Sequence, residues 1–146
     1  MSLVRFVTKD GVGVVTLDNP PLNLFTRQLT RELGEVLAAV ERTTDVRAVV
    51  VCGAGSRAFS AGSDIREFPA LMEHGTVIEE KLSLENEVFE RLAGLPQPTI
   101  AAISGVALGG GAELFAVLRL SHHERGRAYR LSRDSPGNGA GKWGPF

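Results

Sequence analysis

Two short runs open the chain, Val4 to Thr8 and Val12 to Leu17, both rich in β-branched apolar residues and separated by Lys-Asp-Gly-Val. Asp10-Gly11 is a hairpin signal, so the runs predict two antiparallel strands. After the breaker Asn19-Pro20-Pro21, apolar residues recur at steps of three and four: Leu29, Leu33, Val36 or Leu37, and Val40. That spacing predicts an amphipathic helix with Thr26 as its N-cap. Ala48 to Cys52 is short, continuously apolar and rich in Val, which predicts a strand buried on both faces, and the loop GAGSRAFSAGSDI follows it. A second amphipathic helix is predicted over about residues 79–92, with Leu82, Val88 or Phe89, and Leu92 on one face. Pro96 and Pro98 end it, and Thr99 to Ile103 forms the next buried strand. The segment SGVALGGGAELF, residues 104–115, then opens a helix with glycines. This order of elements predicts mixed α/β layers.

The pattern stops soon after. Residues 121–146, SHHERGRAYRLSRDSPGNGAGKWGPF, hold five glycines, two prolines and five Lys or Arg with no apolar period, which predicts a disordered tail from roughly residue 120. The division is therefore a core over residues 1–118 and a tail over residues 119–146. At 146 residues the chain has a one-domain length, and 43% hydrophobic against 23% charged residues with a net charge of -1 excludes wholesale disorder and a strongly basic partner surface. Nucleic acid is not the expected partner, and the basic tail with its isolated Tyr and Trp is a weak signal for RNA. Cys52 reads as a buried small hydrophobe rather than a nucleophile, and a single cysteine permits no internal disulfide. No stretch of 18 apolar residues and no leader-like segment occurs, so no membrane partner is expected and a soluble, cytoplasmic setting is. His74, His122 and His123 form no metal set with nearby carboxylates.

Gly105, Gly109 and Gly111 after a strand resemble a dinucleotide-binding turn, in which glycines let a pyrophosphate approach a helix N-terminus. That reading needs several further strands and an acidic ribose contact downstream, and the tail supplies neither. A second loop argues for different chemistry. Arg57-Ala58-Phe59-Ser60-Ala61-Gly62-Ser63-Asp64-Ile65, followed by Gly105-Val-Ala-Leu-Gly-Gly-Gly-Ala-Glu113-Leu114, resembles the paired signatures of the enoyl-CoA hydratase/isomerase family, also called the crotonase family. Asn19-Pro20-Pro21-Leu22-Asn23 and Pro98 through Gly105 match further family segments, so the resemblance covers residues 1 to about 114. It implies a partial crotonase-like α/β fold, a ββα spiral, that acts on an acyl-CoA thioester by hydration or double-bond isomerisation. No separate cofactor is implied, because coenzyme A is part of the substrate. A homo-trimer or hexamer is implied for the intact family, with lyase chemistry in fatty acid metabolism.

The resemblance also implies roles for residues. The backbone N–H groups of Ser63 and Gly110 form an oxyanion hole, in which donors stabilise charge developing on the thioester oxygen without reorganising. Glu113, in the first turn after the glycines, is the acid/base, although a Glu there also simply favours a helix N-terminus. The substrate loop comprises Ala61, whose carbonyl receives the adenine amino group, with Gly62 and Asp64; Asp64 orients the loop rather than performing chemistry. Arg57 and Arg66 are candidates for the CoA phosphates or equally for a solvated surface. Ser63 has no His partner visible in sequence, which argues against a Ser-His-Asp nucleophile.

One departure stands out. Hydratases of the family use a second Glu in a Pro-Glu-Ile-like segment, and the corresponding spacing from Glu113 falls at Arg133. The family's C-terminal portion is also not matched, so the chain is expected to be truncated and inactive, or to be a non-catalytic remnant that binds a CoA ligand or a protein partner. Codons for Ser132-Arg133-Asp134-Ser135 can read Pro-Glu-Ile when shifted by one base, and the same shift suits residues 119–125, so a frameshift beginning between Leu114 and Arg119 is expected. Sequencing the source DNA across codons 110–146 tests this: restoration of Pro-Glu-Ile by one added or removed base is the expected result, and codons unable to supply those bases overturn it.

Overall fold

The computed structural model describes residues 2–118, 120–123 and 127–129. Strands β1 (Val4–Lys9) and β2 (Val12–Leu17) form the anticipated hairpin, with Lys9 opposite Val12. Asp10 and Gly11 hold φ angles of 52° and 80°, the two positive values that a tight turn matched to strand twist requires. β3 (Ala48–Gly53) lies parallel to β2, and β5 (Thr99–Ile103) lies parallel to β3. β4 (Ala58–Ser60) and β6 (Val106–Ala107) make a separate parallel pair. The main sheet is completed by β7 (Leu120–His123), parallel to β5, and β8 (Arg127–Tyr129), antiparallel to β7. The resulting order is β1-β2-β3-β5-β7-β8.

Two strands thus lie in the segment whose composition predicts a disordered tail. Sheet pairing runs through main-chain groups, so it can extend a sheet edge without the apolar period that a core strand shows. Residues 130–146, the rest of that tail, lie outside the described residues.

Helix α1 (Arg27–Arg42) begins as its sequence predicts, with Leu29 N donating to Thr26 Oγ1 at 3.1 Å. Leu29, Leu33, Leu37 and Val40 are fully buried, so the periodic stripe is the core face and Val36 lies at its margin. Helix α3 (Ser83–Gly94) packs against α1, with Val88, Phe89 and Leu92 buried, and Phe89 meets Phe25 edge-on at 5.4 Å between ring centroids. The second helix departs from its expected phase at its start. Ile78–Leu82 forms a π-helical turn, which admits an extra residue and rotates the adjoining helix about its axis. Leu82 is consequently 41% exposed, while Lys81 and Glu85 turn inward. Short α2 (Phe68–Glu73) precedes this turn.

The valine-rich β3 alternates rather than being buried on both faces. Val49 and Val51 are fully buried beneath the helices, but Val50 and Cys52 are half-buried on the opposite face. The physical reason is layering: α1 and α3 pack against the face that carries Val15, Leu17, Val49, Val51, Ala101 and Ile103. Cys52 is therefore not the deeply buried hydrophobe expected, and its Sγ lies 3.5 Å from Thr16 Oγ1.

Glu32 on α1 ties the helix to the start of β1. Its Oε2 accepts from Ser2 Oγ at 2.9 Å, Leu3 N at 2.6 Å and Val4 N at 3.2 Å, and its Oε1 accepts from Gln28 Nε2 at 2.9 Å. Burial pushes the carboxyl up, but the donors from Gln28, Ser2, Leu3 and Val4 together outweigh it and hold the pKa below the usual 4.5. A folded pKa below the unfolded one adds stability that is present above the unfolded value and lost as pH falls through the folded value. Urea midpoints of the native protein and Glu32→Gln should therefore differ fully above about pH 5 and draw together as pH falls through the lowered folded value. A difference independent of pH would contradict this role.

Candidate functional site

Adjacent parallel strands β3 and β5 send their chains off the same edge of the sheet, and the loops beyond them are drawn together by the β4–β6 pair. Val106 N donates to Arg57 O at 3.1 Å and Leu108 N to Ser60 O at 3.0 Å. Residues 60–63 also join the segment before α1. Phe25 N donates to Gly62 O and Asp64 N donates to Phe25 O, both at 2.9 Å, forming a parallel bridge between Phe25 and Ser63. Because the bridge uses groups on either side of Ser63, the Ser63 N–H itself points away from Phe25.

On that other side begins α4 (Gly110–Val117), whose first N–H groups have no partner within the helix. A β-carbon placed on Gly110 would lie 3.7 Å from Ser63 N and 3.6 Å from Ser63 Oγ. Among the described residues neither Ser63 N nor Gly110 N donates to an acceptor. Two of the residues implied by the motifs, Ser63 and Gly110, thus lie side by side.

The approach depends on bare backbone. Gly62 holds φ at +97°, and a β-carbon on it would stand 2.9 Å from Leu108 O; on Gly111 it would stand 2.3 Å from Ser60 O. The Asn19–Asn23 segment braces the same loop. Asn23 is buried and its Nδ2 donates to Ala58 O at 2.8 Å and Ala54 O at 3.2 Å, while Ala61 N donates to Leu22 O at 3.0 Å.

Asp64 is buried beside the loop and caps the 3-10 turn Ile65–Glu67, accepting from Arg66 N at 3.0 Å. Arg66 Nε and Nη2 reach its two oxygens at 2.8 and 2.6 Å. These hydrogen bonds from Arg66 hold the Asp64 carboxyl below its usual range against the opposing effect of burial, and Asp64 in turn raises Arg66. Arg66 is otherwise exposed, as is Arg57. Glu113 stands in the first turn of α4, three residues after Gly110; its side chain lies outside the described residues.

A cluster of buried charge next to Ser63 was not anticipated from the motifs. Ser63 Oγ donates to Glu85, with Oε1 at 2.8 Å and Oε2 at 2.6 Å. Glu85 pairs with Lys81 at 3.2 Å, and Lys81, with none of its surface exposed, also donates to Glu67 Oε2 and Phe25 O at 2.8 Å each. The spacing of Lys81 and Glu85 is the only trace of this in sequence, and an i,i+4 Lys–Glu pair ordinarily marks a solvated helix face. A cavity of about 240 Å³ lies elsewhere, at the ends of β3 and β5, lined by Cys52, Gly53, Gly55, Ser56, Ala102, Ile103 and Ser104. It contains neither Ser63 nor Gly110.

Peptide N–H groups without a partner at a helix start, on loops from the carboxyl ends of parallel strands, are of the kind that can receive an oxygen gaining negative charge. The fold is mixed α/β, with two glycine-bearing loops meeting at a helix start. The Enoyl-CoA hydratase/isomerase family profile matches residues 7–120, and the chain belongs to that family. A short-chain-enoyl-CoA hydratase of Clostridium acetobutylicum is 41% identical over 109 residues, which are 73% of this chain and 41% of that protein. The crystal structure of an enoyl-CoA hydratase from Bacillus anthracis superposes with a TM-score of 0.77 at 32% identity, over 83% of this chain and 47% of that one. An enoyl-CoA hydratase/carnithine racemase from Magnetospirillum magneticum gives a TM-score of 0.79 at 28% identity, over 84% and 46%. The chain spans less than half the length of these relatives. Among the described residues no helix is long and apolar enough to cross a membrane.

The two neighbouring glycines should respond oppositely to a methyl group. Gly111→Ala forces Ser60 O to move and should lower stability by about 1–3 kcal/mol. Gly110→Ala meets only ordinary contacts of 3.6–3.8 Å and should leave the urea midpoint nearly unchanged. Equal losses in the two variants would refute the close approach of residues 60 and 111.

Proposed function

We propose that this chain forms the thioester-holding part of an acyl-CoA hydratase or double-bond isomerase site. The observation that carries the reading is the proximity of Ser63 and Gly110, whose N–H groups make no bond among the described residues: 3.7 Å separates Ser63 N from the position of a β-carbon on Gly110. Reaction at the α or β carbon of a thioester places negative charge on the carbonyl oxygen, and each preorganised donor is worth about 2.7–4 kcal/mol of barrier. Glu113 supplies acid/base catalysis from one turn beyond the donors. The Ala61 carbonyl and Gly62 line the nucleotide end of the substrate. Arg57 offers positive charge to the phosphates, whereas Arg66 is already engaged by Asp64. A cytoplasmic setting and assembly into trimers or hexamers belong to the same proposal for the intact enzyme.

Arg133 at the spacing of the second carboxylate favours a narrower role for the chain as written: it holds an acyl-CoA, or another partner, without turning it over. General acid–base catalysis contributes about 10²–10⁴ in rate, so loss of one such group removes most turnover. Calorimetric titration with a short saturated acyl-CoA should show binding by the native chain and by Glu113→Gln alike, while crotonyl-CoA hydration followed by absorbance stays near background. Absence of binding overturns the reading, and rapid hydration overturns the loss of turnover.

A further inference from the structure

The hydrogen bonds around Ser63 are closed into a ring by one ion pair. Starting at Phe25 O, the path runs to Lys81 Nζ at 2.8 Å, from Lys81 to Glu85 at 3.2 Å, from Glu85 to Ser63 Oγ at 2.6–2.8 Å, along the Ser63 backbone to Asp64 N, and back to Phe25 O at 2.9 Å. Phe25 N completes the hold on the preceding peptide through Gly62 O. All members are at least partly buried, with Phe25 and Lys81 wholly so and Glu85 only 6% exposed.

The Lys81 ammonium donates to Phe25 O and Glu67 Oε2 and is ion-paired with Glu85 Oε1. Glu67 is tied in turn to the start of α1 through Arg27 N at 3.1–3.3 Å. Ser63 has one hydroxyl proton, and it is given to the carboxylate. Rotation of the Ser63 side chain or of the 62–64 peptides would break a charge-assisted bond in a buried setting, where an unmade bond is costly. The Ser63 N–H direction is thereby set from both its backbone and its side chain.

We propose that Glu85 and Lys81 are positioning residues for the oxyanion hole: they act through the Ser63 hydroxyl to fix the direction in which the Ser63 N–H meets a thioester oxygen. The inference rests on the proposed thioester site. Glu85 makes no contact with Gly110 among the bonds described; its effect passes through Ser63. The negative charge of Glu85, which alone would oppose charge building on the oxygen, is balanced by Lys81 against it.

The test uses the full chain with an acyl-CoA carrying a ¹³C-labelled thioester carbonyl, whose stretching frequency on binding reports hydrogen bonding at that oxygen. Binding of the corresponding S-alkyl-CoA, which lacks the carbonyl, is measured in parallel, and urea midpoints report stability separately. Native protein should lower the carbonyl frequency. Ser63→Ala and Glu85→Gln should each lose about half of that lowering and weaken thioester binding by up to about tenfold, because the donor is misdirected rather than removed. Thioether binding should stay unchanged, and the double variant should be no worse than Ser63→Ala alone, because both act through one bond. Should Glu85→Gln fail to fold, Ser63→Ala removes a single oxygen and carries the test. Lower urea midpoints with an unaltered carbonyl frequency would assign the ring a purely structural role and overturn the proposal. A native protein that binds neither CoA derivative would overturn the thioester site itself, and the proposal with it.

Discussion

The contact on which the site rests is one of main chain against main chain: residues 60–63 lie so close to residues 108–111 that side chains at Gly62 and Gly111 are excluded. Everything that positions the donors serves this approach. Parallel strands β3 and β5 are neighbours, so their carboxyl ends release both loops at one edge, where open α/β sheets bind ligands. The β4–β6 pair then converts proximity into register, with Leu108 held to Ser60 and Val106 to Arg57. Without that pairing the start of α4 would have no fixed relation to Ser63.

Beneath the approach lies a less familiar constraint, a buried lysine held by one peptide oxygen and two carboxylates. Desolvating an ammonium and two carboxylates costs several kcal/mol per ion, and such groups often contribute little net stability even when paired. The geometry returns orientation instead. Lys81 reaches Phe25 O, the same oxygen that Asp64 N uses to hold the Ser63 bridge, so the ionic cluster and the loop share one anchor. The π-helical turn at Ile78–Leu82 makes this reachable, because a regular helix in the phase of Leu82 and Leu92 would send Lys81 elsewhere.

Local features were legible in the sequence because their causes are local. The Asp10-Gly11 turn, the Thr26 cap and the Leu29–Leu33–Leu37–Val40 stripe each arise from a few adjacent residues, and the structure carries all three. The paired glycine loops were legible through their resemblance to a family, and Ser63 and Gly110 do meet. The features that escaped notice depend on partners far along the chain. Ala58–Ser60 is a strand only because Val106–Ala107 lies beside it. The inward turn of Glu85 depends on Ser63, 22 residues earlier, and on a helical phase that no apolar period announces. The valine run of β3 misled for a related reason: apolar residues on both faces state what a strand can bury, while the placement of α1 and α3 decides what it does bury.

In the proposed site, the geometry for holding a carbonyl and the group for acid–base chemistry are of different kinds, backbone for the one and a side chain for the other. The donors on Ser63 and Gly110 are backbone atoms, oriented by bonds among residues 22–25, 57–64, 81–85 and 106–112. In the proposed site, Glu113→Gln changes which protons can be moved, whereas the groups that receive the oxygen are main-chain donors. Substitution in the proposed Ser63–Glu85–Lys81 linkage acts on those donors instead. Main-chain oxyanion holes have this property in general, since their identity resides in backbone path rather than in side chains. In this protein the path is enforced at two glycines, one bridge and one ring of hydrogen bonds.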